Sequence, residues 1–531
     1  MANEILPPKA DVSNPVYDQS DHARSAPEKS EGQESGQHVP ESKGPKKSQC
    51  LELAELASSA RADVFRDEND DYYLVVAVGT HQETHRLRSR YVRNWARDLW
   101  LKARMSTLTD RVIDETLSTW EAVARQRPIR RVYLRIAEVP DVLYLDLGND
   151  AWDAVRIDSQ NVVTMPTLPI HFVRGKSVRS LPNPDLSVVA SDLEPLLGYI
   201  LNLDGDALRL IVVWMLTALS RGPYSILFLS GPEDSAKTTR ARLIRASIDP
   251  ANPLLRALPA THEGLSLAAR SSLVQGFDNL SAPLRNADSD ALATLVTGGA
   301  LGRRTLFSDD EESVFQATRP VILTSIDSAL LSRADLASRT IVISTTRPTT
   351  RRTNADIDRD FAKAAPSILG AICDALRAIL ATRESTKVRV ASDVRMQRIR
   401  MADAARWVSG AEAALGWPEG ETMRLLAQAS DESIDEFLAG DSLASALIEF
   451  ANREGAREWR GTSAELLPKL ELLPGRSSRD SRGQRWPKNP EALGHGISRL
   501  IGPLARVGVK VERTRSGSRR EISIRLVGDG R

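Results

Sequence analysis

The chain has 531 residues, of which 41% are hydrophobic and 27% charged, an ordinary balance for a soluble globular protein and too much chain for one core. Its net charge of +1 hides an asymmetry. From Arg453 to Arg531 there are 18 Lys/Arg against 9 Asp/Glu, a local charge of +9 that leaves −8 on the rest and points to a polyanionic partner held by one end. Two cysteines, Cys50 and Cys373, exclude a disulfide framework and a four-cysteine zinc site, which suits a reducing cytoplasm. No apolar run marks a signal peptide. The longest such run, Leu208–Leu219, contains Arg209 and is too short to span a bilayer, so no membrane partner is expected.

In chain order, residues 1–50 are rich in Pro, Ser, Glu, Gln and Lys and are expected to be a disordered tail. Residues 51–185 read as a mixed α+β domain. It has strand-like runs at Tyr72–Val78, Val132–Ile136 and Val142–Leu147, and one helical stretch, Arg90–Ala124, with Trp95, Leu99, Trp100 and Leu108 as core. Pro166, Pro169, Pro182 and Pro184 mark a connector. From 190 to 345, helices alternate with the apolar runs Ile226–Leu229, Leu273–Phe277, Val321–Leu323 and Ile341–Ile343, the pattern of a buried, mostly parallel sheet. The Thr- and Arg-dense stretch Thr345–Asn354 ends that domain, and a helical region is expected over 355–440. Residues 441–531 read as three helices (Leu443–Arg453, Ser463–Leu472, Pro490–Val507) and a hairpin (Val509–Arg513, Glu521–Leu526), the order of a winged helix.

The strongest motif runs from Gly231 to Thr238, between an apolar strand and a helix, which is the setting of a P-loop. Gly231, Asp234, Ser235, Ala236, Lys237, Thr238 and Thr239 are the candidate ATP-binding residues. Backbone N–H groups would form an anion nest, Lys237 would reach the terminal phosphates, and Thr238 would offer its hydroxyl to Mg²⁺. Ala236 stands where a second glycine is usual. Asp234 would repel phosphates unless it turns outward or pairs with a base such as Arg240. Asp278, leaving the second apolar strand, is the candidate Mg²⁺ holder. Its follower Asn279 can orient a water but cannot take its proton. Thr324 ends the third strand, where a polar side chain contacts phosphate or the attacking water, or simply caps a turn. Arg339, before the last strand, either reaches a neighbouring subunit or pairs with Asp335 at its own surface.

With these motifs in this order, the chain resembles superfamily 3 and primase-helicase-type AAA+ ATPases of phages and large DNA viruses, and also the "ATP-binding proteins" of bacterial integrated elements. The resemblance covers about Gly231 to Ile343. It includes the run Phe277–Ser281, the Thr297–Gly299 turn, and the stretches Arg304–Glu312, Arg319–Leu323 and Asp335–Arg339. It implies a homo-oligomeric ring, with Arg339 acting in trans and Arg303 and Arg304 on a hairpin that grips DNA. Asp234, Asn279 and Thr324 depart from the residues usual there, and the region before Asp192 lacks the acidic triads and zinc cysteines of an active primase.

At the basic end, Arg485 and Lys488 in a Ser/Gly-rich loop, and Arg515 and Arg519 at the hairpin tip, are candidate DNA contacts. The expected protein is therefore an α/β P-loop, AAA+-like ATPase between an N-terminal α+β domain and a C-terminal winged helix. It would use ATP and Mg²⁺ and act, helicase-like and DNA-stimulated, in replication of a phage or mobile element. The alternative is a DNA-binding initiator or regulator with a degenerate, non-hydrolysing ATP site. A small-molecule kinase would share the loop but leave the basic end unexplained.

Overall fold

The computed structural model describes residues 48–531 except 281–283, 305–311, 327–332, 349, 456, 474–485, 517–518 and 528–531, with backbone alone for 300–304, 312–316, 516 and 519. Residues 1–47 of the expected tail thus lie outside the described residues, and its last two positions already belong to helix α1 (Gln49–Ser59).

Strands β1 (Asp63–Arg66), β2 (Tyr72–Val78) and β3 (His81–Arg86) form an antiparallel meander. The two-residue alternation of β2 turns Leu74 and Val76 toward the helices and Tyr73 and Val75 toward Phe65 on the other face. The single helix expected over Arg90–Ala124 is two, α2 (Arg90–Arg104) and α3 (Asp110–Arg125). Met105 turns left-handed and closes the first, while the Thr109 hydroxyl accepts from the Val112 N–H and opens the second. The apolar periodicity ran across this break because both helices present their stripe to one core.

The expected strand Val132–Ile136 is also divided. β4 (Val132–Tyr133) pairs in parallel with a later short strand, whereas β5 (Ile136–Val139) starts a four-stranded antiparallel sheet with β6 (Val142–Asp146), β7 (Ala154–Ile157) and β8 (Val162–Met165). The partner of β4 is β9 (His171–Phe172). Between β4 and β5, Arg135 turns inward. Its Nε donates to Asp249 at 2.9 Å with both side chains 1% exposed, and Nη1 donates to the Asp146 carbonyl. The other Asp249 oxygen accepts from the Val274 N–H at 2.8 Å, so this pair ties the antiparallel sheet to the larger one.

Helices α4 (Leu193–Leu201) and α5 (Gly205–Ala218) lead into β10 (Ile226–Ser230), followed by α6 (Lys237–Ile248), α7 (His262–Ala269), β11 (Gln275–Leu280) and α8 (Asn286–Thr297). A hairpin, β12 (Ala300–Arg304) and β13 (Glu312–Gln316), precedes β14 (Val321–Ser325), α9 (Ala334–Ala337) and β15 (Thr340–Ser344). The sheet order is β11-β14-β10-β15, all parallel. Leu227 and Leu229 of β10 enter one core with α5 and α6, and Ile226 and Phe228 enter another with α8, which is why these strands read as unbroken apolar runs.

The chain continues with α10 (Asn354–Ala391), α11 (Ala402–Val408) and α12 (Glu421–Gly440). By length and composition α10 could cross a membrane, but Ile368, Ile372, Leu376 and Ile379 are buried in the main core. The remainder is α13 (Ser442–Glu454), β16 (Trp459–Gly461), α14 (Ser463–Glu471), α15 (Pro490–Arg506), β17 (Val509–Ser516) and β18 (Arg519–Leu526). β16 was not expected. It adds a third strand to the hairpin in the order β16-β18-β17. Leu493, Ile497, Leu500 and Leu504 give α15 one fully buried face.

The Arg135–Asp249 pair yields a direct test. Arg135→Ala leaves Asp249 buried without its counter-ion and should cost about 3–5 kcal/mol, whereas Arg135→Met with Asp249→Leu should recover most of that. Denaturant unfolding of the three proteins measures both effects.

Candidate functional site

Parallel strands deliver their carboxyl ends to one edge, and three polar features meet there. β10 runs into Gly231 at φ 147°, where an added Cβ would strike the carbonyl and hydroxyl of Thr345. Thr345 holds the strand end: its N–H and its hydroxyl both donate to the Ser230 carbonyl, at 2.7 and 2.8 Å. The same hydroxyl lies 2.8 Å from Oγ of the buried Ser235. Asp234 and Ala236 take left-handed φ values of 64° and 60°, so the loop curls back before α6 begins at Lys237.

Inside that curl the Lys237 ammonium donates to the carbonyls of Gly231 (2.8 Å) and Pro232 (2.6 Å) and to Ser235 Oγ (3.3 Å). Burial draws its pKa below the ordinary lysine range, opposed by the carboxylates of Asp278, Glu233 and Asp234. Thr238 is exposed and Thr239 half-buried on the first turn of the helix. The Thr238 hydroxyl donates to Asp278 Oδ1 at 2.9 Å, and the Thr324 hydroxyl donates to the same oxygen at 2.5 Å. Thr324 also accepts the Asn279 N–H at 2.9 Å. Lys237, Thr238, Asp278 and Thr324 therefore meet at one edge, because β14 lies between β10 and β11.

Of the two alternatives for Asp234, turning outward or pairing with Arg240, the structure takes the first. Arg240 does not pair with Asp234. It is buried, and its guanidinium donates to the carbonyls of Leu201, Asn202 and Ser235, bracing the loop from behind. Asp234 turns outward and meets Arg351 at 3.1 Å, both largely exposed. Asn279 sits at φ 54° in a bulge between Phe277 and Leu280, a conformation that Asn tolerates better than most residues.

Arg347 and Arg351 were missed. Arg347 Nε donates to the Glu233 carbonyl at 3.2 Å, so the stretch after β15 that read only as a domain end lies against the phosphate-loop candidate. Its density of Thr and Arg was the available signal.

Arg339 lies at the opposite edge, where its carbonyl accepts the Ile226 N–H at the start of β10. Its guanidinium holds the Asp335 carboxylate and, at 2.7 Å, the Asp335 carbonyl, and Arg400 reaches the same carboxylate at 3.2 Å. Within one chain it is remote from Lys237. Arg303 and Arg304 stand on β12, but their side chains lie outside the described residues, as does all of Arg485. Lys488 is exposed, one residue before Asn489, whose side chain caps α15 by accepting from the Ala492 N–H. Arg515 of β17 is directly opposite Arg520 of β18, and the Arg519 backbone is paired with Ser516.

The sheet and the edge it forms define a mixed α/β protein with a parallel sheet. Residues 194–430 match the family model described as "Actinomycete integrative conjugative element replication protein", and residues 443–529 match the "AICE RepA C-terminal domain". Together the two consecutive models cover more than half of the chain and identify it as a member of the actinomycete integrative conjugative element replication proteins. The expectation of a phage or mobile-element protein narrows accordingly.

A comparison with curated proteins gives no match. Among solved structures, one described as "SCCmec type IV Cch - active helicase" is 14% identical, with TM-score 0.48, over 88% of this chain and 93% of its own. The "A form apo structure of NrS-1 C terminal region-CTR" is 11% identical, with TM-score 0.36, over 89% and 99%. A full-length MCM homolog from Methanopyrus kandleri is 10% identical, with TM-score 0.27, over 71% and 77%.

Two substitutions test the loop. Gly231→Ala should displace Thr345 and free Ser235, seen as a lower melting temperature. Ala236→Gly removes a left-handed alanine and should stabilise by about 1 kcal/mol, read in the same melts.

Proposed function

We propose that this replication protein is an ATP-driven motor that translocates on or opens DNA at the element it replicates. The observation that carries the reading is the convergence of the Lys237 ammonium, the Thr238 hydroxyl and the Asp278 carboxylate at the edge of a parallel sheet. Lys237 would exchange its carbonyl partners for the terminal phosphates of ATP. Thr238 and Asp278, whose oxygens lie 2.9 Å apart, form a hard-oxygen pair that fits Mg²⁺ held by one carboxylate and the substrate phosphates. When bound, the ion would neutralise developing phosphate charge. Thr324 holds Asp278 and the Asn279 backbone together, and would orient the attacking water.

In the same reading, residues 441–531 form a winged helix that holds DNA through Lys488, Arg515, Arg519 and Arg520, with Arg485 and the β12–β13 residues Arg303 and Arg304 as further contacts. The chain forms a homo-oligomeric ring in which Arg339 leaves Asp335 to reach the ATP of the next subunit.

A second reading is favoured by Asn279, which is exposed and cannot accept a proton. The chain would then bind ATP as an assembly switch and work as an initiator or regulator. ATP turnover with and without single-stranded DNA separates the two. A motor gives DNA-stimulated turnover that Lys237→Ala abolishes, whereas a switch gives ATP binding lost in Lys237→Ala and no turnover in either state. Equal ATP affinity of wild type and Lys237→Ala in calorimetry would overturn the assignment of the loop.

Asp234 and Arg351 are both largely exposed, so their pair is weak and solvent screens much of the carboxylate's field at the loop. Asp234→Gly should therefore change ATP affinity only slightly; a gain from no binding to binding would instead mean that the native loop is degenerate. For DNA, charge reversal is the better probe than truncation before Leu443, because α13 and α15 share a core with the parallel sheet. Lys488→Glu with Arg515→Glu should weaken binding and flatten its salt dependence by a slope of about 2 or more on duplex DNA.

A further inference from the structure

A second polar site lies at the other end of the parallel sheet. Tyr224, Leu273 and Arg319 precede β10, β11 and β14, and they line a cleft of about 450 Å³ closed on its far side by the β1–β2 turn and β4. A five-residue strand separates this end from the phosphate-loop edge by roughly 17 Å. The volume is within the range of ligand sites.

The cleft holds more positive charge than its carboxylates offset. Asp71 is shared by Arg86 (2.9 Å) and Arg270 (2.7 Å). Glu138 is shared by Arg383 (2.9 Å) and Arg221 (3.5 Å). Glu68 and Arg131 are 4.0 Å apart, at the limit of an ion pair. Asp67 is turned into its own loop, accepting from the backbone of Asn69 and Asp71 and from the Tyr73 hydroxyl, and burial raises its pKa. Arg319 has no carboxylate within ion-pair distance among the described residues. Its Nε donates to the Ala269 carbonyl at 2.8 Å and Nη1 to its neighbour Thr318 at 2.9 Å, and burial lowers its pKa. A guanidinium held only by carbonyls, facing a cleft in which Asp71 and Glu138 are each shared by two arginines, is stabilised by an incoming anion. Arg131 and Arg221, 55% and 54% exposed, stand at the mouth with planar donors that suit phosphate oxygens.

We propose that this cleft is a phosphate-binding site distinct from the phosphate-loop edge, taking the phosphates of a nucleic-acid strand or of a free nucleotide through Arg131, Arg221 and Arg319. Arg319 lies with Ala317 and Thr318 in the connection from β13 to β14, so a phosphate there would sit beside the segment that follows the β12–β13 hairpin.

The test uses the full chain carrying Arg131→Gln with Arg221→Gln, probed with a single-stranded thymidine oligonucleotide at several salt concentrations. The same variant in a Lys237→Ala background is probed with inorganic tripolyphosphate. If a strand occupies the cleft, oligonucleotide affinity falls about tenfold and the salt slope drops by about 1.4, the amount for two lost phosphate contacts on a single strand. Loss of tripolyphosphate binding with unchanged oligonucleotide binding supports the free nucleotide as the source. The pair Arg131→Lys with Arg221→Lys keeps the charge and should retain most of the affinity, which separates anion binding from a packing defect. Unchanged affinity for both probes in the Gln variant, with an unaltered melting temperature, overturns the proposal.

Discussion

The order of four parallel strands governs everything at the candidate site. Only with β14 between β11 and β10 can one threonine, Thr324, bond the carboxylate that leaves one neighbour while lying beside the loop that leaves the other. The order is in turn held by burial of both faces. Leu227 and Leu229 need one layer of helices, Ile226 and Phe228 another, and a shift of one residue would put each set against the wrong layer. The loop adds a second restraint, because Gly231 passes so close to Thr345 that β15 cannot leave β10 without opening the loop.

Much of this was legible in the sequence because the signals are local. The apolar run Tyr72–Val78 is β2 residue for residue; three runs of the parallel sheet fall within its strands, and the fourth, Leu273–Phe277, begins two residues before β11. The strand–loop–helix around Lys237 and the acid at Asp278 depend on spacing alone, and both stand where the spacing put them. What failed depended on partners distant in sequence. The break at Met105 hides behind a continuous apolar stripe, although Ser106, Thr107 and Thr109 offered capping side chains. The division at Arg135 follows from an acid 114 residues away. β16 is three residues long and exists only because β18 pairs with it. Arg347 and Arg351 reach Glu233 and Asp234 across more than a hundred residues, and no periodicity announces that.

The departures from the usual motif residues also take on physical meaning. Ala236 adopts a conformation that glycine would adopt at less cost, so the loop retains its curl against local strain. Asn279 occupies a left-handed position that a glutamate would strain to keep, and its N–H, not its side chain, makes the bond to Thr324. The hydrogen bonds at this edge join Thr238, Asp278 and Thr324, while Asn279 lies in the bulge beside Asp278.

The apolar cluster behind β10 and β14 runs without interruption through Ile434 and Phe437 of α12 into Leu447, Leu493 and Leu500 of the basic end. A module joined through shared packing has no slack, unlike one on a tether. It would act as a lever fixed to the sheet, with α15, about 25 Å long, as its arm. A tilt of about 5° at the inner end would carry the outer end about 2 Å. The stiffness of a few leucine contacts, more than any charged group, would then set how much of a rearrangement at the sheet arrives as displacement at the hairpin.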